Sequence, residues 1–197
     1  MPFDNVVSDV SYYGGFAWIY GIKKDLWDAA TRSYIKNFDK IDKPSLITLV
    51  DYRIPRNEKR MWILNFAFGK PTLIEHTWCA HGSGSGGRDA TSVGKSKYRS
   101  CVGGFVTGGT WKSHLGQKDK SGPKTKRAMA LYGLDPTNDN AHDRGIRWHG
   151  AWYVKPGWVA NSHGCVCPPN SVNDKVVKTL AHGSFVFTYF GDEWLDV

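Results

Sequence analysis

The sequence lacks the features of a membrane protein. None of its apolar runs is long enough to span a bilayer. The opening segment, MPFDNVVSDV, is acidic, whereas a secretory signal peptide begins with a basic region followed by an apolar stretch. We therefore expect no membrane insertion, and the sequence shows no export signal.

Cysteine is scarce and is not spaced as in a disulfide scaffold. The chain has four, Cys79, Cys101, Cys165 and Cys167, and at 197 residues it is long enough to form one good core without covalent crosslinks. We expect one domain with at least one free thiol, while a bridge between Cys79 and Cys101 stays open. Internal repeats and low-complexity segments are also absent.

The composition is that of a soluble globular protein with a basic surface. Hydrophobic residues make up 41% and charged residues 22%, and the net charge is +8 with a pI near 9.3. This charge favours an anionic partner such as nucleic acid, anionic lipid or an acidic cell-wall polymer. The only dense basic run, residues 116–128, is broken by Gly and Pro and reads as a solvated loop, so we expect no nucleic-acid binding.

The pattern of apolar residues predicts a mostly β fold with two helices. Helical spacing from Leu26 to Phe38 predicts an amphipathic N-terminal helix. A second helix is expected after residue 171, with Ser171 and Asp174 as a capping box and Gly183 beyond its end. Short apolar segments separated by Gly, Asn and Asp predict the strands, as in sandwiches and barrels: residues 45–52, 60–66, 72–80, 103–109, 128–134, 145–154 and 184–190.

The segment IRWHGAWYVKPGWVANSHGCVCPP, residues 146–169, carries the strongest chemical signal. It places two His-Gly pairs, at 149–150 and 163–164, ahead of Cys165. A zinc site is disfavoured because the H-x-C-x-C spacing differs from that of structural zinc sites, and a redox dithiol because C-x-C is one residue short of C-x-x-C. A cysteine nucleophile with His149 as its base fits best, with the amides of Gly164 and Cys165 free to stabilise an oxyanion.

Two weaker motifs are interpreted as structural. Residues 94–96 end like a phosphate-binding loop, but Asp89 occupies the position of its first glycine and no helical pattern follows. The Asn-Asp-Asn run at 138–140 lacks the closing acidic residue of a calcium loop and reads as a turn. We therefore expect no metal and no organic cofactor.

The sequence HGAWYV followed by SHGCVC resembles the active-site signature of the YkuD-type L,D-transpeptidases. The resemblance to the murein L,D-transpeptidase catalytic domain extends from about residue 25 to residue 190, through the blocks LITLVDYRIPRNEKRMWILNF, CAHGSGSGG, SCVGGFVTGGTW and LYGLDPTNDNAHDRGIRWHGAWYV. It implies a β-sandwich-like catalytic domain over residues 25–197, preceded by an N-terminal extension over residues 1–24.

The resemblance also implies a reaction and a set of roles. The Cys165 thiolate would attack the carbonyl of meso-diaminopimelate in a peptidoglycan stem tetrapeptide and expel D-alanine. A second stem would then give a 3→3 crosslink, or water would give L,D-carboxypeptidase or endopeptidase action. His149 corresponds to the base, with the backbone of Gly150 orienting it. Ser162, His163 and Gly164 would shape the oxyanion hole and the donor pocket. His81 would line the cleft, or alternatively would be a purely structural residue.

Two positions and one loop depart from the family pattern. Cys167 stands where the family usually has Arg or Asn, Asn161 stands where the subgroup often has Arg, and the loop from His149 to Ser162 is short. We expect the two thiols of the Cys-Val-Cys segment to face opposite ways, with Cys165 meeting His149 and Cys167 packed inward.

The place of action follows from the same resemblance. We expect the protein to act in the periplasm or cell wall, by an export route that the sequence does not show: a trimmed leader, phage lysis or a secretion system. A hydrolytic phage lysin or antibacterial effector, and a catalytically inactive wall-binding module, are the alternatives. The sequence gives no indication of oligomeric state.

Overall fold

The computed structural model describes residues 20–66, 71–121 and 126–195. Two helices and nine strands lie within these ranges. The helices are α1 (Lys24–Lys36) and α2 (Asn170–Leu180). The strands are β1 (Lys43–Asp51), β2 (Met61–Asn65), β3 (Thr72–Thr77), β4 (Gly103–Ser113), β5 (Lys126–Gly133), β6 (Arg147–His149), β7 (Val154–Lys155), β8 (Trp158–Val159) and β9 (Ser184–Tyr189).

Seven of the strands form one mixed sheet in the order β3-β2-β1-β9-β4-β5-β6, and β7 and β8 form a separate hairpin. All neighbours in the large sheet are antiparallel except β1 and β9, which are parallel. The expected mostly β fold, with one N-terminal helix and one helix after the motif, is confirmed, and its sheet is curled.

Each face of the sheet is covered by one helix, because the strands alternate apolar residues between the two faces. On β9, Phe185 and Phe187 contact the cluster that contains α1, whereas Val186 contacts the cluster that contains α2. The helices contribute buried apolar residues at helical spacing, Leu26, Trp27, Ala30 and Tyr34 from α1 and Val176, Val177 and Leu180 from α2.

Two local expectations are wrong. The capping box fails because α2 begins at Asn170, with Pro169 as its N-cap and no side-chain cap, while Asp174 accepts hydrogen bonds from Asn173 and the amide of Arg127. The strand expected over residues 145–154 is cut short at His149, and the chain turns before it resumes as β7.

Part of the sequence analysis concerns residues outside the described ranges. The acidic opening segment falls within residues 1–19, which include most of the expected N-terminal extension. The basic run at 116–128 includes four such residues, 122–125.

The edge of the sheet at β6 positions the signature segment. β6 pairs with β5 on one side, and on its other side Trp148 forms a parallel bridge with Val166. The amide of His149 donates to Val166 O at 3.2 Å, and the amide of Val166 donates to Arg147 O at 3.1 Å. Both halves of the motif therefore lie side by side at this edge, although sixteen residues separate His149 from Cys165 in the chain.

Candidate active site

The imidazole of His149 is buried and has a defined tautomer. Its Nδ1 lies 2.9 Å from the carbonyl oxygen of Gly150. A carbonyl oxygen only accepts hydrogen bonds, so Nδ1 carries the proton and Nε2 has a free lone pair. Burial lowers the pKa of His149 below its usual value, against the smaller opposite effect of the Gly150 hydrogen bond. His149 is thus a neutral imidazole that presents a basic nitrogen.

Gly150 provides more than its carbonyl. A Cβ at this position would lie 2.6 Å from Cβ of Asn173 on α2 and 2.6 Å from the side-chain oxygen of Asn170. Only glycine lets the chain after β6 pass this close to the start of α2. The residue that orients the imidazole is therefore itself fixed by helix packing.

The thiol nearest to the basic nitrogen is that of Cys167. Its Sγ lies 3.3 Å from His149 Nε2, and the Tyr153 hydroxyl donates to the same sulfur at 3.8 Å. Cys167 is completely buried, and burial raises its pKa well above the usual value. Cys167 therefore packs inward as expected, but it does so against His149.

The expectation that the two thiols face opposite ways is wrong. Residues two apart on an extended segment share a face, because side chains alternate with a period of two. Val166 packs with Trp148 in the main core, whereas Cys165 and Cys167 lie together in a small cluster on the other face. The period of two, applied to Cys-Val-Cys, would have placed both thiols on the side of His149.

Cys165 belongs to the same cluster as Cys167, but its sulfur has a different polar neighbour. It is 8% exposed, and its Sγ lies 3.6 Å from the carbonyl oxygen of Gly145. Burial raises its pKa, while a backbone hydrogen bond from Arg147 and the charges of Arg147 and Arg144 act in the opposite direction. Within the described part of the chain, Cys165 forms no hydrogen bond with His149.

Ser162 and Gly164 shape the turn that leads into Cys165. The Ser162 hydroxyl donates to Cys165 O at 2.9 Å and accepts from the amide of Gly164 at 3.1 Å. Gly164 has φ +107, and a Cβ there would lie 2.6 Å from Arg99 O. The Gly164 amide, expected to point at an oxyanion, is therefore already occupied. The Cys165 amide makes no hydrogen bond to any described residue.

A comparison with known families decides the classification, since the family model described as the L,D-transpeptidase catalytic domain matches residues 20–189. The chain belongs to this family. No curated protein matches it.

Several solved L,D-transpeptidase structures resemble this chain at low identity. The enzyme from Mycobacterium smegmatis is 14% identical over 74% of this chain and 58% of its own, with a TM-score of 0.45. The enzyme from Stackebrandtia nassauensis is 19% identical over 93% and 75% of the two chains, also with a TM-score of 0.45. The chain thus spans less than two thirds of the Mycobacterium smegmatis protein.

The other L,D-transpeptidase signature histidine, His163, lies at the surface beside Tyr98. The centroids of their rings are 4.6 Å apart. His163 is exposed, and its ring contacts Tyr98 rather than either thiol.

His81 does not line the cleft. It is completely buried, and Arg60 Nη2 lies 2.9 Å from its Nδ1 while its Nε2 lies 3.2 Å from Gly87 O. Since the guanidinium donates, Nδ1 accepts and Nε2 carries the proton given to the carbonyl. Burial and the Arg60 charge lower the pKa of His81 to about 4. Both ring nitrogens bind protein, so His81 has the structural role that was the alternative expectation.

The backbone at His81 is hydrogen-bonded to the signature segment. Its backbone oxygen accepts from the amide of Ser162 at 2.8 Å, and the amide of Ser83 donates to Ser162 O at 2.8 Å. The glycine-rich segment that follows His81 is thereby joined to the turn before Cys165. In this chain, the CAHGSGSGG block therefore supports the signature loop through backbone hydrogen bonds.

Sequence reasoning missed Arg56, which reaches the site from the turn between β1 and β2. Its Nη1 donates to Gly87 O at 2.7 Å and to the side-chain oxygen of Asn161. Asn161 in turn donates to Gly86 O at 3.0 Å. A guanidinium group from a distant segment therefore lies beside the position where the subgroup often carries arginine. Only contact between the two segments reveals it, and sequence spacing gives no signal.

The described residues contain no group of three or more His, Cys, Asp or Glu side chains able to hold a metal ion. All four cysteines are free and buried. In the part of the chain that the structure describes, no helix has the length and apolar character of a membrane span.

Proposed function

We propose that this protein catalyses cysteine-dependent acyl transfer on peptidoglycan stem peptides. The observation that carries the proposal is the orientation of His149, whose Nδ1–H binds Gly150 O so that the basic Nε2 faces the Cys-Val-Cys part of the signature segment, where it meets Cys167. Membership in the L,D-transpeptidase catalytic domain family supports the substrate class. The basic surface, with net charge +8, suits an anionic wall polymer.

Cys165 is the proposed nucleophile. It is the more exposed of the two thiols, its amide has no hydrogen-bond partner among the described residues, and the charges of Arg144 and Arg147 favour its thiolate. The fully buried Cys167 meets neither the first nor the third condition. The SHGC resemblance points to the same residue.

The proposed chemical steps begin when Nε2 of His149 meets the Cys165 thiol. His149 Nε2 takes the thiol proton of Cys165, and the sulfur attacks the carbonyl carbon of meso-diaminopimelate to form a C–S bond. The C–N bond to D-alanine then breaks, and the leaving amine receives the proton from His149. The Cys165 amide stabilises the oxyanion. An amine of a second stem, giving a 3→3 crosslink, or water, giving a shortened stem, releases the acyl group and restores the thiol.

Intact-mass analysis of acylation tests the assignment of the nucleophile. With a carbapenem as acylating agent, the parent and Cys167→Ala are expected to form a covalent adduct, and Cys165→Ala is expected to form none. His149→Ala should fold normally and acylate slower by about two orders of magnitude or more. Adduct formation by Cys165→Ala, or its loss in Cys167→Ala alone, would overturn the assignment.

A further inference from the structure

Cys167 makes a contact that the proposed reaction does not use. Because Nδ1 of His149 is protonated, Nε2 is the only basic nitrogen of the ring, and Cys167 Sγ lies 3.3 Å from it. Proton transfer from Cys165 requires the same lone pair. The two thiols therefore compete for one acceptor.

Cys167 is the donor in this contact. A thiol has one proton, and two acceptors of the described residues lie near Cys167 Sγ: His149 Nε2 at 3.3 Å and Cys165 O at 3.5 Å. Cys165 O already accepts from the Ser162 hydroxyl at 2.9 Å. The imidazole nitrogen is the closer acceptor and has no other donor among the described residues.

The surroundings keep Cys167 protonated. It is completely buried, and burial raises its pKa well above that of a free thiol. Among the described residues, the titratable groups near His149 include Cys165 and Cys167 on the facing segment and Arg147 on the strand of His149 itself. Two further groups lie near Cys167: the Tyr153 hydroxyl, which donates to its sulfur, and the Cys79 thiol. None of these is a carboxylate, so no group that the structure describes near the ring holds a proton on Nε2 at neutral pH.

We infer that Cys167 is a positioning residue that holds His149 in a resting arrangement and that its release is required before Cys165 can be deprotonated. This inference rests on the proposed function, because it takes Cys165 as the nucleophile. Side chains two residues apart on an extended segment are attached about 6.6 Å apart, so one placement of the ring cannot serve both sulfurs. The ring turns from Cys167 to Cys165, and the proton of Cys165 then moves to Nε2.

The test compares two substitutions of Cys167 that differ in one hydrogen-bond donor. Cys167→Ala removes the donor to Nε2, whereas Cys167→Ser keeps one on a side chain of similar size. The measured quantity is the rate of alkylation of Cys165 by iodoacetamide as a function of pH, with the labelled cysteine identified by peptide mass. Cys101→Ala controls for general loosening of the core. It also removes a buried thiol, but from the core cluster that contains Val166 and not from the cluster beside His149.

Cys167→Ala should alkylate at Cys165 about five-fold faster at neutral pH, the factor that corresponds to loss of one hydrogen bond of about 1 kcal/mol. Its rate profile should also move to lower pH, because the freed nitrogen accepts the Cys165 proton. Cys167→Ser and Cys101→Ala should behave as the parent. A Cys167→Ala profile equal to that of the parent, or a Cys167→Ser profile equal to that of Cys167→Ala, would overturn the inference.

A measurement on the parent protein needs no substitution. Nitrogen chemical shifts of His149 are expected to show a proton on Nδ1 and a hydrogen-bonded, unprotonated Nε2. The opposite tautomer would overturn the inference even if Cys167→Ala failed to fold. Iodoacetamide labelling of Cys167 in a Cys165→Ala protein would instead refute Cys165 as the nucleophile. Failure of the proposed function and failure of the positioning role of Cys167 are therefore distinguishable.

Discussion

Arg60 and His81 form a buried polar pair behind the signature loop. The Arg60 guanidinium has no carboxylate partner among the described residues and donates to Cys79 O at 2.8 Å, Ile54 O at 2.8 Å and His81 Nδ1 at 2.9 Å. A protonated His81 would lose this acceptor and place a second cation beside the first. The pair therefore requires a neutral histidine, in agreement with its lowered pKa.

This requirement predicts a pH dependence of stability. The pKa of His81 falls from 6.5 in the unfolded chain to about 4 in the folded protein, so the unfolded state binds more protons between these values. The free energy of unfolding should be highest above pH 6.5 and should fall as pH decreases towards 4, by about 3 kcal/mol from this residue. Urea unfolding at a series of pH values measures it.

His81→Gln separates this contribution from those of His76 and His149, whose pKa values are also lowered by burial. The variant lacks the titrating ring and is expected to lose less stability on acidification than the parent. Identical pH slopes for the two proteins would show that His81 is not held neutral by its surroundings.

Helix α1 is attached to the sheet by a polar contact as well as by its apolar face. Asp135 accepts from the Ser33 hydroxyl at 2.6 Å, from the Asn37 side chain at 3.2 Å and from the amide of Gly104 at 2.6 Å. Ser33 is on α1, Asn37 ends it, and Gly104 is on β4. One carboxylate thus joins the helix to the central strands.

Asp135→Ala should therefore lower the free energy of unfolding by about 2–3 kcal/mol, because three donors lose a charged acceptor. Amide hydrogen exchange should become faster in α1 before the rest of the protein is affected. Asp139→Ala is the matched control, since Asp139 is exposed and forms an ion pair with Lys95 rather than a contact with α1. Unchanged exchange in α1 would contradict this account of its attachment.

The elements that sequence predicts well are those with strong periodicity. The N-terminal helix and the strands near residues 45–52, 60–66 and 184–190 follow from apolar patterns and appear within a few residues of their expected bounds. The end of β6 at His149 follows instead from the close approach of Gly150 to α2, which no local pattern encodes. The contact of Arg56 with Asn161 likewise depends on two segments that only the fold brings together.

The signature residues of the candidate site were predictable from the sequence, but their contacts were predictable only in part. The motif indicated His149, Gly150 and the cysteines. The structure joins His149 to Gly150 and to Cys167, and Cys165 lies in the same small cluster as Cys167. Which thiol faces the base depends on the parallel register of β6 with the signature segment, where Trp148 is opposite Val166. Matching the signature residue by residue gives no information about that register. The period of two would nevertheless have placed both thiols on one face of the strand.

At the scale of the whole molecule, charge and family membership point to the same class of partner. The net charge of +8 favours association with anionic polymers, and the L,D-transpeptidase catalytic domain covers residues 20–189. Neither property distinguishes an amine acceptor from water. In the proposed reaction, that choice determines whether stems are crosslinked or shortened, and analysis of the products distinguishes the two outcomes.

Product analysis of purified peptidoglycan sacculi tests the central claim most directly. Sacculi incubated with the parent protein should yield new 3→3 dimers if an amine is the acceptor, or shortened monomers and opened crosslinks if water is, as identified by mass spectrometry of the released muropeptides. Cys165→Ala should produce neither. A muropeptide profile unchanged by the folded parent protein would contradict the proposal that it is an acyl transferase or hydrolase of stem peptides.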